Sequence, residues 1–257
     1  MLSASQQKFL NALQAKKYRQ KYHKFTVEGS KLVLELLAQK RISVSAIYGL
    51  ERWREENAAA MAAFNSIFTP VSETGLKKIS ALTTPNAVVA VAEMPETPDT
   101  NFHLPGDATF YLDGIRDPGN MGAILRIADW FGFPAVYCSP DCADVYNQKV
   151  VQASMGAVFR VPVQEIALND LLSDMPGCPV LGAVLDGENL FEAELPAEGL
   201  LVIGSEGSGI SPGVEARLTS RLTIPRGKSG GAESLNASVA AGILAAFMAR
   251  RANKPGV

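Results

Sequence analysis

Apolar positions recur at helical and strand periods in alternation along this 257-residue chain. Phe9, Leu10 and Leu13 form a stripe that predicts a helix over residues 3–17, with Ser3 or Ser5 as its cap. A short strand follows at residues 25–28, then a helix capped by Ser30 and running to Ala38. The pattern continues with a strand at 44–48, a helix at 51–64, a strand at 66–69 and a short helix at 72–79. Val88, Val89 and Val91 mark a buried-type strand over 87–93. Together these predict a small α/β domain over residues 1–95. Residues 96–106 carry Pro98 and Pro105, lack periodicity and read as a linker.

Residues 107–257 alternate again and predict a second domain. Strands are expected at 108–112, 135–138, 180–184, 200–204 and 221–224, and helices at about 119–131, 147–153, 211–217 and 234–251. Repeated β-then-α order implies a mainly parallel sheet with both faces covered. Ligands of such sheets bind beyond the carboxyl ends of the strands.

Composition narrows the function classes. Apolar residues make up 47% and charged residues 19%, ordinary values for a globular protein. Leu2 to Gln14 is too polar for a secretory core. The longest apolar stretch, Ala237 to Ala249, falls short of the ~18–20 residues of a membrane span. A soluble, cytoplasmic protein without membrane association is expected. The three cysteines (Cys138, Cys142, Cys178) form no paired framework, and the two histidines (His23, His103) are remote from one another. No metal site is expected.

Net charge is −2, which argues against a wholly basic nucleic-acid binder, but its distribution is uneven. Residues 1–41 carry nine basic and two acidic side chains, a local +7, which leaves −9 for the rest. Such asymmetry is expected when one end meets a polyanion. Lys16, Lys17, Arg19, Lys21 and Lys24 are the candidate contacts.

Three loops carry the candidate chemistry. In the first, a strand ends at Asp113, Asp117-Pro118-Gly119-Asn120 turns, and a helix begins. Ile124, Ile127, Ala128 and Phe131 follow the core-facing spacing. Arg126 lies off that stripe, with Gly122, Asp129 and Trp130. The plainer accounts are a helix cap for Asn120 and a surface pair with Asp129 for Arg126. The second loop, Ile203-Gly204-Ser205-Glu206-Gly207-Ser208-Gly209, follows an apolar strand, and its glycines permit close backbone approach to a ligand. It lacks the G-x-G-x-x-G order of a dinucleotide site. The third runs from Ile224-Pro225 through Gly227-Lys228-Ser229 to Ser234-Leu235-Asn236. Leu222 stands where a nucleoside-triphosphate loop needs its first glycine, so that reading is rejected. Ser234 and Asn236 also suit a helix N-terminus. The small residues Ala240, Ala241, Gly242, Ala245 and Ala246 fit either a self-association surface or an ordinary core helix.

In this order and spacing the loops resemble the three signature motifs of the SpoU/TrmH family of RNA ribose 2′-O-methyltransferases, within the SPOUT superfamily. The matching residues are Asp117-Pro118-x-Asn120-x-Gly122 with Arg126 and Ala128, then Gly204-x-Glu206-Gly207-x-Gly209. Ile224-Pro225 with Ser234-Leu235-Asn236-x-Ser238-Val239-Ala240 completes the set. Residues 1–95 are similar to an L30e-like substrate-binding domain through Lys16-Lys17-Tyr18-Arg19 and Phe25-x-Val27-Glu28-Gly29. The resemblance implies an α/β fold with a C-terminal SPOUT-type parallel sheet and trefoil knot, preceded by the smaller L30e-like domain. It further implies a homodimer and S-adenosylmethionine as methyl donor, held near Ile203, Gly204, Gly209, Ile224, Pro225 and Leu235. By motif position Arg126 is the catalytic residue, with Asn120, Glu206, Ser234 and Asn236 shaping the pocket. Arginine is an awkward base because its pKa exceeds ~12, so Arg126 acts either by transient deprotonation or as a cation at the developing alkoxide. The implied substrate is RNA, with ribosomal RNA favoured over transfer RNA; a catalytically silent RNA- or ribosome-binding protein is the rival. Two departures stand out: Ser205 where asparagine is familiar, and a longer span from Pro225 to Ser234 with Gly230-Gly231 as the extra length.

Overall fold

The computed structural model describes residues 2–84, 86–95 and 108–252. The expected linker at 96–106 lies outside them. Two compact units divide the chain, residues 1–96 with 144–160, and residues 97–143 with 161–257. The segment 144–160, expected within the second domain, thus groups with the N-terminal unit.

The first unit holds a four-stranded sheet of β1 (Lys24–Glu28), β2 (Val44–Gly49), β3 (Phe68–Pro70) and β4 (Val88–Glu93), in the order β1-β4-β2-β3. β4 pairs antiparallel with β1 and β2, and β2 pairs parallel with β3. Val88 to Ala92 are all buried, as a central strand requires. Leu10, Leu13, Leu76 and Ile79 pack with Tyr48, Val89 and Val91 in one cluster. The helix Gln148–Ser154 packs on β1, where Gln152 Nε2 donates to the Glu28 carbonyl at 2.8 Å. The buried Glu28 carboxylate accepts from Ser80 Oγ (2.6 Å), Ala81 N–H (3.0 Å) and Gln148 Nε2.

Several boundaries differ from expectation, each for a local reason. The first helix spans only Ala4–Ala12, with Ser3 and Gln6 in a reciprocal capping box. A second helix, Lys16–Tyr22, follows. Arg19 Nη1 donates to the carbonyls of Leu13 and Gln14 at 2.8 Å each, which supplies partners where the first helix stops. Ser30 does not cap its helix; Gly29, at φ 100°, takes that position, and Ser30 Oγ accepts from Trp53 Nε1 at 2.8 Å. The expected 51–64 helix breaks at Asn57, whose side chain donates to the Trp53 carbonyl at 2.7 Å.

The second unit holds β5 (Ala108–Asp113), β6 (Val136–Cys138), β7 (Val163–Glu165), β8 (Val180–Asn189), β9 (Gly199–Gly204) and β10 (Ser220–Thr223). Among the described residues they form one sheet, in the order β10-β8-β9-β5-β6-β7, with every pairing parallel. The expected parallel α/β sheet is therefore present. Leu200 to Ile203 are buried, as a strand covered on both faces must be. The helix Pro118–Phe131 starts at the end of β5, with Asp117 as its cap and Gly132 closing it at φ 72°. The helix Ala237–Ala252 packs on it and on β9. The chain therefore crosses β8 on leaving β9 for β10 and crosses it again on returning. β7 and the helix Leu168–Asp174 had no counterpart in the periodicity: the strand has three residues, none fully buried.

β8 runs longer than expected because it contains a wide irregularity. Arg221 pairs with Gly182, while the next residue, Leu222, pairs with Glu188. Residues 183–187 bow out between these points. A Cβ on Gly187 would lie 2.5 Å from the Arg221 carbonyl carbon, so only glycine permits this approach.

Candidate active site

The carboxyl ends of β5, β9 and β10 bring the three loops together. Asp117 Oδ1 accepts the Asn120 N–H at 2.8 Å, so Asp117 is the cap and the Asn120 side chain is left for other work. Asn120 is 9% exposed. Its Nδ2 donates to Glu206 Oε1, and its Oδ1 accepts from Asn236 Nδ2 at 2.9 Å. Asn236 Oδ1 in turn accepts from Ser238 N–H (3.0 Å), Ser238 Oγ (2.7 Å) and Val239 N–H (3.3 Å), which caps the last helix. One chain of hydrogen bonds, Asn236 to Asn120 to Glu206, therefore joins one residue from each loop. Because Asn120 is nearly buried, a broken link leaves a polar group poorly hydrated.

The second loop is held by its own backbone. Ser205 N–H donates to the Gly209 carbonyl at 3.0 Å, and Gly209 N–H returns to the Ser205 carbonyl at 2.9 Å. Gly209 has φ 67°. A Cβ on Gly204 would lie 2.2 Å from the Gly209 carbonyl carbon, so the turn closes only over glycine. Asp113 Oδ2 ties the far side of the loop through Ser211 N–H at 2.6 Å.

The second and third loops line a cavity of about 550 Å³ within the second unit. Of the predicted cofactor residues, Ile203, Gly204, Gly209, Ile224 and Leu235 line it; Pro225 does not. Glu206 and Ser234 are on its wall, whereas Asn120 and Asn236 stand behind Glu206. Residues of the β8 irregularity, Ala183 to Asp186, complete one side. There the chain places a charged group that the motifs did not indicate. Arg221 donates to Asp186 Oδ1 (2.6 Å) and Glu215 Oε1 (2.5 Å), and all three line the cavity. The hydrogen bonds from Arg221 lower the Asp186 pKa. Only the clustered acids of Asp186-Gly187-Glu188 could have pointed to it from sequence.

Arg126 lies on the exposed face of the helix Pro118–Phe131 and off the cavity wall. It makes no ion pair with a described residue, so the plainer account of a surface pair with Asp129 does not apply. Trp130, one turn on, is 83% exposed.

The basic segment separates into two kinds of cation. Lys16, Lys17 and Lys21 are exposed. Lys24 is paired with Glu93 at 2.5 Å. Arg19 corrects the expectation: it is 3% exposed, and its Nε donates to Asp144 Oδ2 at 2.9 Å. A buried guanidinium already engaged on three acceptors cannot face a phosphate, so Arg19 leaves the set of candidate RNA contacts. No described helix is long and apolar enough to cross a membrane.

Residues 107–246 match the model of the SpoU rRNA methylase family. The chain belongs to that family. Residues 5–90 match an MRM3-like substrate-binding domain. Among relatives of this SpoU chain is the 23S rRNA (guanosine(2553)-2′-O)-methyltransferase RlmP of Bacillus subtilis, 30% identical over 239 residues, with 90% of this chain and 91% of the relative covered. Among solved structures, a TrmH-family chain from Porphyromonas gingivalis is 42% identical, with a TM-score of 0.84 over 98% of this chain and 99% of that one. An AdoMet-bound rRNA methyltransferase from Sinorhizobium meliloti is 26% identical, with a TM-score of 0.84 over 99% and 98%.

Proposed function

We propose that this SpoU chain transfers a methyl group from S-adenosylmethionine to a ribose 2′-hydroxyl of ribosomal RNA of the 23S type. The hydrogen-bond chain from Asn236 through Asn120 to Glu206 carries the reading, because it ties one residue of each motif loop together beside the cavity that the second and third loops line. The cavity suits the cofactor. Its volume falls in the range of small-ligand sites. Ile203, Ile224 and Leu235 offer apolar contact, and the glycine backbone around Gly204 and Gly209 offers close polar approach. When bound, S-adenosylmethionine supplies an electrophilic methyl group, and no metal is needed for the transfer.

The chain's own residues then have separable tasks. Glu206 holds Asn120, and Asn120 holds Asn236, so the loop walls do not drift as ligands enter. Ser234 and Leu235 close the third side. Arg126 is exposed and has no ion-pair partner among the described residues, which supports a role for it in meeting the RNA. It either takes up the ribose 2′-hydroxyl proton or, as a cation, stabilises the developing alkoxide while that proton passes to water. Lys16, Lys17 and Lys21 of the N-terminal unit hold the RNA phosphates. A homodimer, a cytoplasmic location and a threaded C-terminal chain belong to the same proposal. The double crossing of β8 supports the last of these.

The test is a map of ribose methylation in ribosomal and transfer RNA from cells with and without the gene. Loss of one site in the large ribosomal RNA is expected. Loss confined to transfer RNA would overturn the substrate assignment. Unchanged maps, with no S-adenosylmethionine binding by calorimetry, would favour a silent RNA-binding protein.

A further inference from the structure

The Lys16–Tyr22 helix does more than present charge. Tyr18 and Tyr22, one turn apart, lie with ring centroids 6.3 Å apart and planes within 13° of parallel. Tyr22 is 39% exposed, and the edge-to-face contact with Phe9, at 5.2 Å, holds it in place. Lys17 Nζ sits 4.9 Å from the Tyr18 centroid, and Lys21 Nζ sits 5.5 Å from that of Tyr22. From Leu2 to Val27 the chain has six basic side chains and no acidic one.

We infer that Tyr18 and Tyr22 form a stacking platform for unpaired bases of the substrate RNA, with Lys17 and Lys21 on the flanking phosphates. The inference rests on the RNA reading above and adds that this surface selects unpaired over duplex RNA. In duplex RNA the bases are already stacked, and their faces are not available to a side chain. A loop or bulge offers its bases freely.

The relative strengths allow the exchange. An exposed cation over an aromatic ring stabilises the contact by a factor of about two to five. A base stacked on the same ring contributes about fivefold to 150-fold in affinity. An arriving base therefore displaces the ammonium from the ring face, and the released lysine meets the phosphate beside it. Lysine suits this role because its stem swings freely and its charge has no planar geometry to satisfy.

The experiment uses the full chain and two fluorescein-labelled probes, an RNA hairpin with an unpaired purine loop and a blunt RNA duplex of equal length. Affinity is measured over a range of salt concentrations. The unsubstituted chain is expected to prefer the hairpin. Tyr22→Leu should weaken hairpin binding by about fivefold to 150-fold and leave duplex binding and the salt slope unchanged. Tyr22→Trp should keep the preference. Lys17→Ala and Lys21→Ala should weaken both probes and reduce the salt slope by about 1 each. Thermal unfolding of each variant guards against a misfolded Tyr22→Leu, and Tyr18→Leu provides an independent removal of one ring. Equal binding of the two probes, or tyrosine substitutions that affect them equally, would overturn the platform while leaving the RNA reading intact. Failure to bind either probe would remove both.

Discussion

Replacement of Arg19 by leucine separates a cation that builds the fold from one that meets RNA. The guanidinium donates to Asp144 Oδ2 at 2.9 Å and to the Leu13 and Gln14 carbonyls at 2.8 Å each. Leucine retains much of the aliphatic volume but none of these bonds. A hydrogen bond to a charged group contributes about 1.5–3 kcal/mol, so a simple sum over three acceptors would overshoot. Two features reduce the loss. Gln14 is exposed, and Asp144 is 13% exposed, so water reaches part of what the guanidinium leaves. Removal of one partner from a buried pair costs about 3–5 kcal/mol, and this site falls at the lower end. A loss of about 3 kcal/mol shifts a urea midpoint by about 1–3 M. Circular dichroism during urea unfolding measures it, with RNA affinity measured well below the transition. Lys17→Ala is the counterpart: a stability change within about 0.5 kcal/mol and weaker RNA binding. A loss below about 1 kcal/mol for Arg19→Leu, combined with reduced RNA affinity in the folded state, would refute the structural role.

Arg126→Ala should lower methyl transfer by about 100-fold or more while calorimetric binding of S-adenosylmethionine and RNA affinity largely persist; full activity would sink its catalytic role. Asn120→Ala cuts the link between Glu206 and Asn236, and a stability loss of about 1–3 kcal/mol with a loss of methyl transfer is expected; an unchanged rate would mean the loops hold without it. Gly204→Ala drives a methyl group into the Gly209 backbone, so a destabilisation of about 1–3 kcal/mol and weaker cofactor binding should follow in paired unfolding and calorimetry experiments. Hydrogen bonding from Cys138, then from Ser139 and the Ile115 N–H, lowers the Cys142 pKa to about 7, whereas burial raises that of Cys178. A lowered pKa puts the thiolate in the majority above pH 7. Iodoacetamide alkylation followed by mass spectrometry should therefore rise at lower pH for Cys142 than for Cys178, and the reverse order would count against these environments.

The parallel sheet and its three loops were legible because they rest on local patterns. Leu200 to Ile203 read as a buried strand, Gly204 stands where a Cβ would strike the Gly209 backbone, and Gly209 takes a positive φ. Asp117-Pro118 announces a helix start by chemistry contained within four residues. The β8 irregularity was not legible: it depends on how far Arg221 reaches along a strand distant in sequence. The Arg221 cluster on the cavity wall shares that origin, since Asp186 and Glu215 meet it only once β10 is seated. β7 escaped because three half-exposed residues carry too little periodicity to register.

Lys17 and Arg19 show where such reading stops. Both belong to the same basic run, and a count of charge treats them alike. Helical period alone turns them to different sides, but it does not say which side is buried. That is decided by the end of the first helix at Ala12, which leaves the Leu13 and Gln14 carbonyls in need of a donor, and by Asp144, 125 residues away. Asn120 is the same problem at the active site. Local chemistry allows it to cap its helix, yet Asp117 does so, and Glu206, 86 residues on, takes the side chain instead. In both cases a polar residue is assigned its role by an acidic partner that only the folded chain brings near. A polar side chain close to a helix end is therefore best assigned by first asking which neighbour already satisfies that end; the residue left over is the one free to act elsewhere.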